Sequence, residues 1–137
     1  YALLDVAGQS VLVSPTLETV EAFAVDVSGC TIGRFAPPGT EPSRRVALEC
    51  QYPEGQIFLH VWEISGSLGG LEVTQIASLP QLNLSLFSWA NEDVLLAPLA
   101  VNTGRPETLL TVWDVDSGVS ERIRWPGLIH QIVPFEP

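Results

Sequence analysis

Two histidines, two cysteines and one close pair of aspartates are the side chains of this 137-residue chain whose types suit a reaction. His60 lies between Leu59 and Val61. It has no second histidine four residues away with a glutamate between, the spacing that a helical zinc site needs. His60 therefore reads as a strand histidine, hydrogen-bonded inside or at the rim of a sheet. His130, in Leu128-Ile129-His130-Gln131-Ile132, reads the same way. Asp114 and Asp116 stand two apart, so on a strand they share one face beside a turn. That placement suits a solvated edge better than the opposed carboxylates of a glycoside hydrolase. Cys30 and Cys50 lie outside any metal-type spacing; an oxidising compartment would join them, and a reducing one would keep two small buried thiols. Nucleophile elbow, phosphate loop and dinucleotide fingerprint are all absent from the sequence. The expectation is a non-catalytic chain with no catalytic residue, no metal and no cofactor.

Charge narrows the partners. Six arginines and no lysine face sixteen acidic residues, a formal charge of −10. Nucleic acid and anionic membrane surfaces are poor partners for such a chain. Its basic concentrations are Arg44-Arg45 and the pair Arg122 and Arg124. The latter two share a strand face next to Trp125, an indole suited to stacking on a guanidinium or an incoming ligand; an outer strand with alternating exposed charges gives the same pattern. Asn83-Leu84-Ser85 fits the glycosylation acceptor pattern but falls in a strand that alternates as half-buried, so it is not read as a sign of secretion.

The elements that must position these residues are strands. Ile57-Phe58-Leu59-His60-Val61-Trp62-Glu63-Ile64-Ser65 and Thr108-Leu109-Leu110-Thr111-Val112-Trp113-Asp114-Val115-Asp116 read as one strand written twice, with Trp62 and Trp113 51 residues apart. A weaker copy covers residues 22–28, with Val25 in the tryptophan position. Recurrence at about 40 to 50 residues marks a repeat in which each unit is a small antiparallel sheet. Apolar residues make up 46% and charged ones 16%, with 11 glycines and 11 prolines as punctuation, which suits strands covered on both faces and excludes a disordered tail. Turn chemistry predicts strands over 2–6, 10–13, 19–27, 30–35, 44–51, 56–65, 71–79, 82–87, 94–101, 108–116, 120–125 and 128–135. Prolines make 36–43 the clearest loop, and unit boundaries fall near 40 and 82. Pro98 sits awkwardly in a central strand, so a bulge or an early strand end is expected there. Thr16 lacks the Glu or Gln at position 19 that a capping box needs, so 13–21 reads as a turn. The apolar runs at 57–64 and 94–99 fall short of the roughly 20 residues of a membrane helix.

The copies Val25-Asp26, Trp62-Glu63 and Trp113-Asp114 resemble the WD-repeat β-propeller family, whose third strand in each blade often ends in Trp-Asp. Only the last carries both family residues, and no Gly-His pair precedes any copy. Within that family the texture is similar to the propeller-like regions that follow the F-box in fungal proteins. The resemblance implies an all-β fold of antiparallel meander sheets, about three blades of a partial propeller, spanning 1–137 as one segment of a longer parent. The absence of Met and the start at Tyr1 inside an apparent strand point the same way. It further implies a protein-interaction scaffold, the substrate-recognition part of an F-box ubiquitin-ligase receptor, that packs against the rest of its own propeller in the cytoplasm or nucleus. Lack of lysine, hence of ubiquitin acceptors, agrees with that, and the compartment favours reduced Cys30 and Cys50. Binding residues would lie on the loops 36–43, 66–70 and 102–107. The alternative is a sugar-binding or hydrolytic propeller of a secreted protein.

Overall fold

The computed structural model describes residues 2–6, 9–13, 20–23, 29–40, 42–66, 70, 72–81, 86–102 and 104–132, with side chains at 29, 30, 33–40, 42–66, 70, 72–81, 86–101 and 104–132. These residues form eleven strands and no helix. Strands β1 (Ala2–Val6), β2 (Gln9–Val13) and β3 (Val20–Phe23) make a three-stranded sheet; β4 (Cys30–Phe35), β5 (Arg44–Gln51), β6 (Ile57–Ser65) and β7 (Glu72–Gln81) make a middle sheet; β8 (Ser88–Trp89), β9 (Val94–Asn102), β10 (Pro106–Asp114) and β11 (Ser120–Pro126) make a last sheet. Each is an antiparallel meander with neighbours in chain order.

Local chemistry sets the turns. Between β5 and β6, Tyr52 N–H donates to Gln56 O at 2.8 Å and Gly55 N–H to Tyr52 O at 2.9 Å. Gly55 holds a φ of 87°, which side-chain-bearing residues rarely adopt. Between β10 and β11 the Asp114 carboxylate accepts from Ser117 N at 3.0 Å, and Gly118 turns the chain with a φ of 72°.

Packing follows the two-residue period of the strands. One face of the middle sheet offers Ala47, Leu59 and Val61 to Trp89, Leu95, Ala97 and Trp113 of the last sheet and to Phe87 and Val115 beside its strands, so the two sheets share one core. The opposite face gathers Val46, Leu48, Cys50, Trp62 and Ile64, with Cys30, Phe35 and Val73 against them. Being covered on both sides explains why β6 reads as a continuous apolar run. Trp62 and Trp113 occupy third strands of successive meanders, as the 51-residue register predicts.

Several expectations need correction. The register sets Cys30 directly opposite Cys50 across β4 and β5, and the two form a disulfide instead of two thiols; nothing in their spacing showed that they would be cross-strand neighbours. The loop at 36–43 joins two paired strands within the middle sheet, so the break between sheets falls between β3 and β4 and not near 40. Pro98 pairs with Leu110 without a bulge. It is tolerated because the short β8 reaches only Leu95 and Leu96, leaving that side of β9 without a β8 residue opposite Pro98. Pro80 extends β7 rather than ending it, as an edge strand permits. The first strand of the last sheet is Ser88–Trp89, with residues 86 and 87 before it outside any strand. Residues 128–132 form no strand; Ile129 N–H donates to Thr108 Oγ1 at 3.0 Å and Thr108 Oγ1 donates to Gly127 O at 2.8 Å, tying this stretch across β10. The turn expected around Thr16 and Thr19, Val25 and Asp26 of the weakest copy, and Asn83 of the glycosylation pattern lie outside the described residues.

Candidate functional site

Because each sheet is a meander, its connections alternate between two ends. The ends of β4, β6 and β10, with residues 90–93 before β9, lie at one end, while 52–56 and the end of β9 with the start of β10 lie at the other. Of the three loops expected to hold a partner, 36–43 and 66–70 are therefore bounded by strand ends at one end of the sheets and 102–107 by strand ends at the opposite one, with residues 41, 67–69 and 103 outside the described residues. A single surface does not contain all three.

Arg45, the second residue of β5, fastens the first end. Its Nε donates to the Glu63 carboxylate at 3.3 Å, Nη1 to Asp93 at 2.8 Å and to the Glu92 carbonyl at 3.3 Å, and Nη2 to Asp116 at 2.6 Å. One fork-shaped guanidinium thus joins both sheets. Burial alone would lower the Arg45 pKa, but hydrogen bonding and charge from Asp116, with Glu63 and Asp93, outweigh it and leave it raised. Asp93 shifts the other way from a well-served acid: burial and then the neighbouring Asp116 charge raise it, only partly offset by Arg45. Asn91 Oδ1 accepts from Asp93 N at 2.8 Å and Val94 N at 2.9 Å, an Asx turn that aims Asp93 at Arg45. Above the fastener lies a cavity of about 210 Å³ between the 36–43 loop and Glu92, Asp93 and Asp116. Gly39 closes on it so tightly that a Cβ there would run into the Glu92 carboxylate. In the lining of this cavity three carboxylates face one guanidinium, so the chemistry it offers is ion pairing with cationic groups.

The histidines have separate roles. His60 is buried on the Trp62 face of β6, its Nε2 2.8 Å from Tyr52 Oη, its ring stacked on Phe58 at 5.7 Å and tilted against Trp62 at 6.0 Å. Its Nδ1 is buried without a hydrogen-bond partner, and burial lowers its pKa. A strand histidine bonded within the sheet is what the sequence predicted. His130, expected on a strand like His60, instead lies exposed in the stretch after β11, which forms no strand.

No family model, curated protein or solved structure matches this chain.

The remaining candidates divide. Asp114 ends β10, where the Ser117 backbone N–H holds its carboxyl below the ordinary range. Asp116 turns to Arg45, so the pair does not act together. Arg122 and Arg124 share an exposed face of the edge strand β11, where Arg124 reaches Glu107 at 3.6 Å. Trp125 pairs with Thr108 and points to the other face with Ile123, away from both arginines. The residue that sequence reasoning missed is Arg45 as a fastener. Its partners lie 18, 48 and 71 positions away, and the lone hint was the arginine pair beside an acid-rich chain.

Proposed function

We propose that this chain is part of a repeated β-sheet scaffold that binds another protein through the end fastened by Arg45. The observation that carries the reading is one residue locking two sheets together beneath exposed connecting loops, a rigid base for segments free to vary without disturbing the core. The excess of carboxylates around the cavity favours a basic partner surface. The propeller arrangement, with the meanders as blades, draws support from the equivalent positions of Trp62 and Trp113 and from the contact between the first strands β4 and β8. The F-box receptor version rests on the resemblance of the Trp-acid strands.

The test is affinity capture from an extract of the source cells. Residues 37–43 are exchanged for a Gly-Ser connector together with Glu92→Ala, and a second chain carries an exchange of 103–105 at the opposite end. Partner capture should be lost in the first and kept in the second, with β-type circular dichroism in both. Capture unaffected by the first exchange, or metal-dependent turnover abolished by His60→Ala or His130→Ala, sinks the reading.

One observation favours the secreted alternative. The Cys30–Cys50 disulfide belongs to an oxidising compartment, whereas a cytosolic F-box receptor would carry two thiols. Mass measurement of the protein from its own cells after alkylation without reductant separates the two: two added alkyl groups support the intracellular version, none the secreted one.

A further inference from the structure

A second hollow lies where the first strands of the middle and last sheets, β4 and β8, approach each other. It encloses about 520 Å³, within the range of small-ligand pockets. Among the described residues its lining holds two arginines, Arg34 and Arg44, and no acidic residue. In a chain this acidic, that segregation is informative. The described ion pairs engage Arg45 and Arg124 and leave Arg34 and Arg44 without a carboxylate among the described residues. Among the described residues Arg44 is anchored through Nη2 to Ala36 O at 3.4 Å, which leaves most of its five donors for a ligand. The wall is firm. Trp89 is buried and donates from Nε1 to Arg34 O at 2.9 Å, while Pro37 and Pro38 fix the backbone beyond it. Phe35 and Ile132, both half-buried, supply apolar surface at the sides.

We propose that this groove binds a carboxylate carried on an apolar peptide laid along the free edge of β4, Arg34 reaching its oxygens from the face that holds Ala47 and Arg44 from the face that holds Ile64, while Phe35, Ile132 and the edge of Trp89 contact the apolar flank. Guanidinium forks match a planar carboxylate through paired hydrogen bonds. A single charge fits better than a polyanion. Across Ala36 and Pro37, which line both hollows, stand Glu92, Asp93 and Asp116, and each further negative charge on a ligand meets their repulsion. The proposal rests on the scaffold reading in taking a peptide as the carrier. Failure is separable, since peptide titration bears on the groove alone and loop exchange bears on partner capture.

The experiment measures fluorescence anisotropy of labelled Leu- and Phe-containing hexapeptides against the full chain at 150 mM NaCl. One peptide has a free C-terminal carboxylate as its sole acid, a second is amidated and carries one internal Glu, and a third is amidated with no acid. At least one of the acidic peptides should bind tenfold or more tightly than the uncharged one, and the stronger of the two identifies the source of the carboxylate. Arg34→Ala together with Arg44→Ala should remove that advantage. Arg34→Ala alone, which breaks no described side-chain bond, should weaken binding about fivefold, and Arg122→Ala on the exposed β11 should leave it unchanged. Equal binding of all three peptides, undiminished binding by the double variant with native circular dichroism, or displacement by inorganic phosphate at lower concentration than by acetate would overturn the assignment.

Discussion

Arg45 holds Glu63, Asp93 and Asp116 on one guanidinium that is largely shielded from water, so its removal leaves like charges facing one another. Arg45→Ala is expected to cost about 2 kcal/mol in urea denaturation, the scale of hydrogen bonds to charged groups. Arg45→Lys should recover only part of it, because an ammonium cannot reach three carboxylates as a fork does. The loss in the alanine variant should shrink between 0.05 and 0.5 M NaCl as the leftover repulsion is screened. His60 makes a pH prediction. Burial holds its pKa below the ordinary 6.5, so the unfolded chain takes up a proton first as pH falls. The stabilisation tied to neutral His60 is full above about pH 6.5 and is lost as pH drops from there toward the lower folded value. His60→Phe, which keeps an apolar ring on that face, should flatten this slope between pH 7.5 and 5. Asp93, whose pKa is raised, acts oppositely in more acidic solution, so the difference between wild type and His60→Phe is the quantity to measure.

At the scale of elements, strand identity was largely legible because the residues announce it: the β5 and β6 hairpin around Pro53-Glu54-Gly55 lies where turn chemistry placed it, and both tryptophans mark third strands. What stayed hidden depends on which strand lies opposite which. Cys30 against Cys50, Pro98 past the end of β8, and Arg45 against Asp93 and Asp116 are pairings across space. The candidate site was legible only as loops, and meander alternation then divided those loops between two ends. Equivalence of the tryptophans has an energetic corollary. Trp113→Ala should cost about 3–5 kcal/mol, and Trp62→Ala a similar amount, since each is at least nine-tenths buried in an apolar cluster. Thermal denaturation followed by circular dichroism compares the two directly.

For the molecule as a whole, the two faces of the last sheet are unlike. One is closed by the middle sheet, whereas the other carries Leu96, Leu110, Val112, Ile123 and Trp125, the last two 45% and 52% exposed. Leu110 and Val112 stand 51 positions after Leu59 and Val61, which packing against the last sheet buries completely. This face should draw copies together, so sedimentation velocity should show association that grows with concentration and is reduced by Ile123→Glu with Trp125→Arg. The disulfide has a mechanical consequence. It closes a ring over the 20-residue separation of Cys30 and Cys50, and a force applied along the chain passes through the sulfur bridge and bypasses everything between. At about 3.4 Å per extended residue, the oxidised chain should lengthen by roughly 70 Å less than the reduced one when pulled apart in an optical trap. The β4–β5 loop that borders both hollows lies inside that ring, shielded from tension that unravels the strands around it.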